Sequence, residues 1–428
     1  MEADEEALLE DVRRLQDQQV AWTGELVSIP TVNPYSGDDS AGSEAAGQDW
    51  VEARLRSLGA ATRRIPVPAD VYARGGLIGP VDRSWDGRDN VVAEWALGLG
   101  AGPTVLLNDH MDTVGTAGMR FDPFDPAVED GCMFGRGTSD TKGNLVMGLV
   151  AVQALLAHDQ GLDGRIVFES VVDEECNGAG AGTLACCLAG VGGDVALCLD
   201  GDHTHVYNGC NGVATARVLV RGQSGHGSGR GAVSALDKGI LVKEAIDAFA
   251  AEHATVFPDC PVNIGIFRAG TLPAIVPGEA ELQVNLNYDV QDAAHAEEQG
   301  GVWDGRLFRA RFERAMAELG RQDEWLAREP VHVGWIKDVY PFWCDMRHPH
   351  IQLVLQAASE VRGQPVEAKP LMAWFDAAHL ARQLSVPTVG VAAGTPGTAH
   401  GASEYVVLDD LFAGARTLAL ALRRLLRA

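Results

Sequence analysis

Four short apolar runs in this chain each close on a carboxylate or an imidazole. Val105-Leu106-Leu107 leads into Asn108-Asp109-His110-Met111-Asp112, and the run ending Val171-Val172 leads into Asp173-Glu174-Glu175. Ala196-Leu197-Cys198-Leu199 leads into Asp200, and Val389-Gly390-Val391 leads through a glycine-containing loop to His400. Such runs read as buried strands. Helical stretches lie between them, among them 145–157 and 408–425. Strands alternating with helices predict an α/β fold built on a doubly wound, mostly parallel sheet. In such sheets ligands sit outside the carboxyl ends of the strands. The four endings therefore converge on one edge although they are remote along the chain.

The middle of the sequence follows a different rhythm. Apolar and polar residues alternate over 213–221 and again over 279–288, with helical patterns at 232–251 and 305–319 and a last strand near His332–Trp335. Strand, helix, two strands, helix, strand describes an α+β unit with an antiparallel sheet. It is placed at 212–333, interrupting a larger domain made of 1–211 and 334–428. At the amino end, apolar residues at helical spacing predict one amphipathic helix over about 5–28, stopped by Pro30 and Pro34.

Charge and composition narrow the function. The formal net charge is −25 over 428 residues. That balance argues against nucleic acid, which needs basic surface to replace counterions, and against anionic lipid. No apolar run approaches the roughly 20 residues of a membrane helix. The acidic start, Met1-Glu2-Ala3-Asp4-Glu5-Glu6, is unlike a secretory signal and points to the cytoplasm. The eight cysteines contain no C-x-x-C pair and read as reduced thiols.

The convergent groups are oxygen and nitrogen donors. With no thiolate among them, they suit zinc, manganese or cobalt in an open site better than a closed structural zinc. Each residue alone has an ordinary explanation, such as a helix cap or a solvated turn. Together they imply a cation, because like charges buried at one edge repel unless compensated.

Asp109-His110-Met111-Asp112-Thr113-Val114, Gly135-Arg136-Gly137-Thr138-Ser139-Asp140-Thr141-Lys142-Gly143, Asp173-Glu174-Glu175 and Ala399-His400 also resemble a known family. It is the co-catalytic metallohydrolase family of carboxypeptidase G, acetylornithine deacetylase, succinyl-diaminopimelate desuccinylase and aminoacylase. The resemblance implies two divalent metal ions per subunit, zinc foremost. One would be held by His110 and Asp200, the other by Glu175 and His400, with Asp140 bridging. Asp202 competes with Asp200, which is preferred because it directly ends the apolar run. Glu174 would be the general base, and Asp112 would accept the second N–H of His110 and fix its tautomer. Gly222-Gln223-Ser224-Gly225-His226-Gly227-Ser228 resembles the family motif whose histidine crosses a dimer interface to the oxyanion. It implies a homodimer through the inserted unit, with His226 contributing to catalysis.

The chain departs from the family in two places. Ala274-Ile275-Val276-Pro277 is followed by Asn287 where an arginine would bind a substrate carboxylate, leaving Arg230 or Arg268 as substitutes. Ala373-Trp374-Phe375-Asp376-Ala377-Ala378 carries aromatics where the family has small residues, so Trp374 is a candidate wall for a flat substrate. The expected activity is hydrolysis of a C–N bond in a small molecule, foremost deacylation of a small acylated amine or amino acid. The alternatives are ammonia release from an activated aromatic amine, as in 5-nitroanthranilate aminohydrolase, and a non-catalytic metal-binding protein of the same fold. Gly98-Leu99-Gly100-Ala101-Gly102 precedes a strand and so does not make a dinucleotide loop.

Overall fold

The computed structural model describes residues 2–40 and 42–427. Its main sheet has nine strands. At its centre Gly164–Val171, Thr104–His110, Val195–Cys198 and Thr388–Gly390 lie side by side and parallel. Asn90–Leu97 and Ala61–Ile65 extend one edge in antiparallel fashion, and Val206–Cys210 continues the other.

Alternation along the central strands explains why both faces are covered. Val105, Leu107, Ile166, Phe168, Val195 and Leu197 point to one apolar cluster, shared with the helix Lys142–Leu156 and the helix Leu408–Leu425. Leu106, Val167 and Ala196 point to the other, where Cys186, Cys187 and Leu380 meet them. A strand buried on both sides is close to continuously apolar, which is how these runs begin in sequence, with the buried Asn108, Asp109, Glu169 and Ser170 as polar exceptions near their carboxyl ends. The helix Lys142–Leu156 comes so near the sheet that a Cβ on Gly148 would stand 2.7 Å from Leu199 and 2.9 Å from Phe168.

A second, four-stranded antiparallel sheet takes its strands from Gly212–Arg221, Val262–Ala269, Glu279–Tyr288 and His332–Val339. One face is apolar. Ala214, Ala216, Val218, Leu282, Val284 and Leu286 pack with Val242, Ile246 and Phe249 of the helix Ala235–Val256, and with Phe308 and Phe312 of the helix Arg306–Glu318. The last strand stays paired to Val339, so the sheet runs past residue 333, where the apolar signal fades.

The amino-terminal segment differs from the single helix expected. It forms two helices, Ala3–Arg14 and Gln16–Val27, separated at Leu15, whose ψ of 3° leaves the helical range. Apolar spacing continues across the break, which is why periodicity alone does not show it. Among the described residues no helix is long and apolar enough to cross a membrane.

Phe168 is fully buried between sheet and helix. Phe168→Ala is expected to lower stability by about 3–5 kcal/mol, read as a shift of the urea unfolding midpoint.

Candidate metal centre

Strand ends place the donors, as the sheet rule requires. His110 is the last residue of its strand, and Asp200 follows Val195–Cys198 by two. His110 Nε2 lies 3.2 Å from Asp140 Oδ1 and 3.9 Å from Asp200 Oδ2. His400 Nε2 lies 3.2 Å from the other oxygen of Asp140 and 3.0 Å from Glu175 Oε1. Two ligand groups result, His110-Asp140-Asp200 and Asp140-Glu175-His400, and Asp140 belongs to both.

Asp202 is the wrong acid for this cluster. Its carboxylate accepts the Thr204 amide at 2.8 Å and the Thr204 hydroxyl, closing a local turn. Asp200 is the one that faces His110.

The electrostatics call for cations. Burial together with the charge of Asp140 pushes Glu175 up to about 7 and Asp200 up to about 6. Burial lifts Glu174 well above the carboxylate range, against the pull of His110. Its bonds to Asp140 and Glu175 raise the His400 imidazole to about 11. Burial would also raise Asp140, but His110 and His400 hold it below its ordinary value. Protons on the imidazoles thus stand in for positive charge that the acids demand. His110 shows the same need from another side. Its Nδ1 donates to the main-chain carbonyl of Asp112 at 2.9 Å, which fixes the tautomer and leaves a buried Nε2 without a hydrogen-bond partner. An aimed, unpartnered imidazole nitrogen among carboxylate oxygens fits a divalent metal ion.

The role expected for the Asp112 side chain is therefore taken by its backbone. The carboxylate is 3.7 Å from Nδ1 and instead accepts the amides of Glu174 at 3.2 Å and Glu175 at 3.1 Å, and the Asn33 amide at 2.8 Å. It steadies the turn that presents the two glutamates. Asp173 anchors the same turn from behind. It sits at φ 68°, a left-handed conformation that Asp tolerates better than most residues, and accepts from Arg83, Arg88, Tyr72 and Asn33.

Sequence reasoning missed Glu404. One of its oxygens accepts the amides of Gly137, Ser139 and Asp140 at 3.0, 3.0 and 3.1 Å, and the other pairs with Arg136 at 2.6 Å. It shapes the loop that carries the shared aspartate from more than 260 positions away. A lone acid four residues past His400 gave no local signal of that. Lys337 was missed as well. Burial pulls its ammonium down to about 8, and Glu174 is the leading charge opposing that.

A cavity of about 300 Å³ opens on the cluster. Asp140, Glu174, Glu175, Asp200 and His400 form its polar side, and Trp374, Leu371 and Pro396 its apolar side. Trp374 is thus where a substrate wall was expected. His226, Arg230 and Arg268 do not line it. They are exposed on the antiparallel unit, His226 in a two-residue strand against Ile275–Val276. Asn287 does not line it either, because its side chain is committed to the carbonyl of Pro261 at 3.0 Å.

Residues 106–424 match the family described as peptidase family M20/M25/M40. The chain belongs to that family. It is accordingly a metal-dependent hydrolase acting on C–N bonds, and its ligand cluster is the expected place for the divalent ions. An M20 relative from Halalkalibacterium halodurans, named N-formyl-4-amino-5-aminomethyl-2-methylpyrimidine deformylase, is 24% identical over 96% of this chain and 95% of its own. A succinyl-diaminopimelate desuccinylase from Leptothrix cholodnii is 33% identical, over 47% of this chain and 50% of its own. Among solved structures, the di-peptidase Dug1p from Saccharomyces cerevisiae superposes with a TM-score of 0.73 at 15% identity, covering 99% of both chains. This last is a likeness of fold.

If Glu404 sets the pose of Asp140, Glu404→Ala should weaken metal binding about 10–100-fold although it removes no ligand. Titration calorimetry with zinc on the metal-free protein reads this directly.

Proposed function

We propose that this M20 hydrolase is a deacylase that cleaves the amide of a small acylated amine or amino acid, with two divalent ions, zinc foremost and manganese or cobalt as alternatives. The observation that carries the reading is Glu174. It lines the cavity beside both ligand groups, belongs to neither, and makes no side-chain hydrogen bond among the described residues. A carboxylate left free beside a metal centre is placed to move a proton.

The ions, when bound, lower the pKa of a water and polarise the acyl carbonyl. Glu174 accepts the proton that the water loses as its oxygen bonds to the carbonyl carbon. It then delivers that proton to the nitrogen as the C–N bond breaks, giving an acid and a free amine. Asp112 and Asp173 keep the Glu174 carboxylate in place through the backbone of the turn. The cavity volume suits a compact substrate, and the full-length relative named as a deformylase supports a small acyl group.

A second reading draws on Trp374, whose ring lines the same cavity: ammonia release from an activated aromatic amine. A panel of N-formyl amines, N-acyl amino acids, dipeptides and aminobenzoates separates the two by product, a carboxylic acid in one case and ammonia in the other. Assembly as a homodimer through the antiparallel unit is part of the proposal. Leu236, Ile240, Leu272 and Ile275 are exposed there, in the same unit as His226, which a second copy would bring to the oxyanion. Eight free thiols, six of them buried, support a cytoplasmic location.

Glu174→Gln is expected to reduce kcat by about 10²–10⁴-fold or more with the metal content of the wild-type protein. Near-normal turnover with full metal would remove Glu174 from the chemistry. Sedimentation should give twice the mass of one chain, and a fully active monomer would exclude the role of His226 across an interface.

A further inference from the structure

The strand His332–Val339 contains an irregularity that redirects one side chain. Val333 pairs opposite Val218 and Trp335 opposite Ala216, on the face that packs against the helices. Regular alternation would send Lys337 to that same face. Ile336 is an extra residue, so Lys337 pairs opposite Thr215 instead and emerges on the other side. Bulges that re-aim a side chain in this way concentrate near active sites.

The redirected ammonium reaches the catalytic turn. Lys337 Nζ donates to the carbonyl of Gly178 at 2.9 Å. Gly178 closes the turn in its own right, since its amide donates to the Glu175 carbonyl at 2.8 Å. It also lies flat on the turn. A Cβ there would stand 2.2 Å from the Asp173 carbonyl oxygen, 2.8 Å from that of Glu175 and 2.9 Å from that of Glu174. Whatever holds Gly178 therefore holds the main chain that carries both glutamates.

Lys337 is itself well held. The Asp338 amide donates to the Ile78 carbonyl at 2.9 Å, and the Asp338 carboxylate is gripped by Tyr288 and Arg309. Of the chain's five lysines, Lys238, Lys243 and Lys369 pair with carboxylates, and the buried Lys142 donates to the Ile29 carbonyl at 2.7 Å. Among the described residues Lys337 has no carboxylate partner within 4.0 Å, and its hydrogen bond goes to that one carbonyl. Half-burying an ammonium in this way costs free energy. The charges of Glu174, Asp173 and Glu175 offset only part of that cost, and Arg83 adds to it.

We propose that Lys337 is a positioning residue, which clamps the Glu174–Glu175 turn from the antiparallel unit through the Gly178 carbonyl. The inference rests on the reading of Glu174 as the general base only for its kinetic consequence. The clamp itself is independent of substrate.

The test compares Lys337→Met and Lys337→Arg with wild type in the zinc-loaded full chain. Hydrogen exchange by mass spectrometry should show the segment 173–180 exchanging about tenfold faster in Lys337→Met, with the central sheet unchanged. Lys337→Arg keeps a charged donor and should retain most of the protection. With N-formyl-4-amino-5-aminomethyl-2-methylpyrimidine as probe, Lys337→Met should lose about 10–100-fold in kcat with KM within twofold. Unchanged exchange at 173–180, acceleration spread over the whole protein, equal loss of protection in both variants, or a defect confined to KM overturns the proposal. The exchange measurement needs no turnover, so failure of the deacylase reading is seen separately from failure of the clamp.

Discussion

Mutual repulsion among buried acids organises this molecule. Asp140, Glu174, Glu175 and Asp200 crowd the carboxyl ends of the central strands, with Asp112 and Asp173 behind them. Carboxylates gathered in a half-buried site raise one another's pKa and destabilise the fold unless positive charge enters. The imidazoles of His110 and His400 supply part of it as protons. Divalent ions supply it better, because each neutralises two charges and offers coordination in place of lost hydration. Stability and activity therefore draw on the same charge imbalance.

Around this cluster the chain builds supports that do not line the cavity. The supports share one device, a carboxylate that accepts backbone amides and so fixes a loop. Glu404 does this for the segment with Asp140, and Asp112 does it for the turn with Glu174 and Glu175. Ionised acids are strong acceptors, and a loop held through its main chain leaves its side chains free to point into the cavity. Asp173 adds contacts to Arg83 and to Arg88, and Arg88 is itself forked onto the buried Glu44, so these two cations are matched by Asp173 and Glu44 behind the site. The geometry that brings two imidazole nitrogens to 3.2 Å from opposite oxygens of Asp140 depends on these outer contacts.

Much of this was legible in the chain before folding. The central strands announce themselves as apolar runs because both faces are covered. Two of their endings announce donors, His110 and Asp200, because a polar residue at the end of a buried strand emerges at the sheet edge, whereas Asp140 and His400 lie on loops further along. Periodicity marked the helix Leu408–Leu425 at its true bounds. It missed the break at Leu15, since the apolar spacing continues through it. It also missed the bulge at Ile336, since one extra residue among alternating ones leaves composition unchanged. The Asp112 carboxylate is assigned to the imidazole by the family resemblance and the two-residue spacing, and neither distinguishes a side-chain acceptor from the carbonyl of the same residue.

The sequence by itself determined the fold class and the donor types, because those follow from hydrophobic periodicity and from which side chains offer oxygen and nitrogen to a metal ion, and the chemistry came with the family resemblance of its motifs. Only the tertiary structure decided between Asp200 and Asp202, turned Asn287 away from the cavity, and revealed Glu404 and Lys337 as supports. These outcomes depend on where side chains point and on contacts spanning up to 268 positions along the chain. Such contacts are set by packing, and no local pattern encodes them.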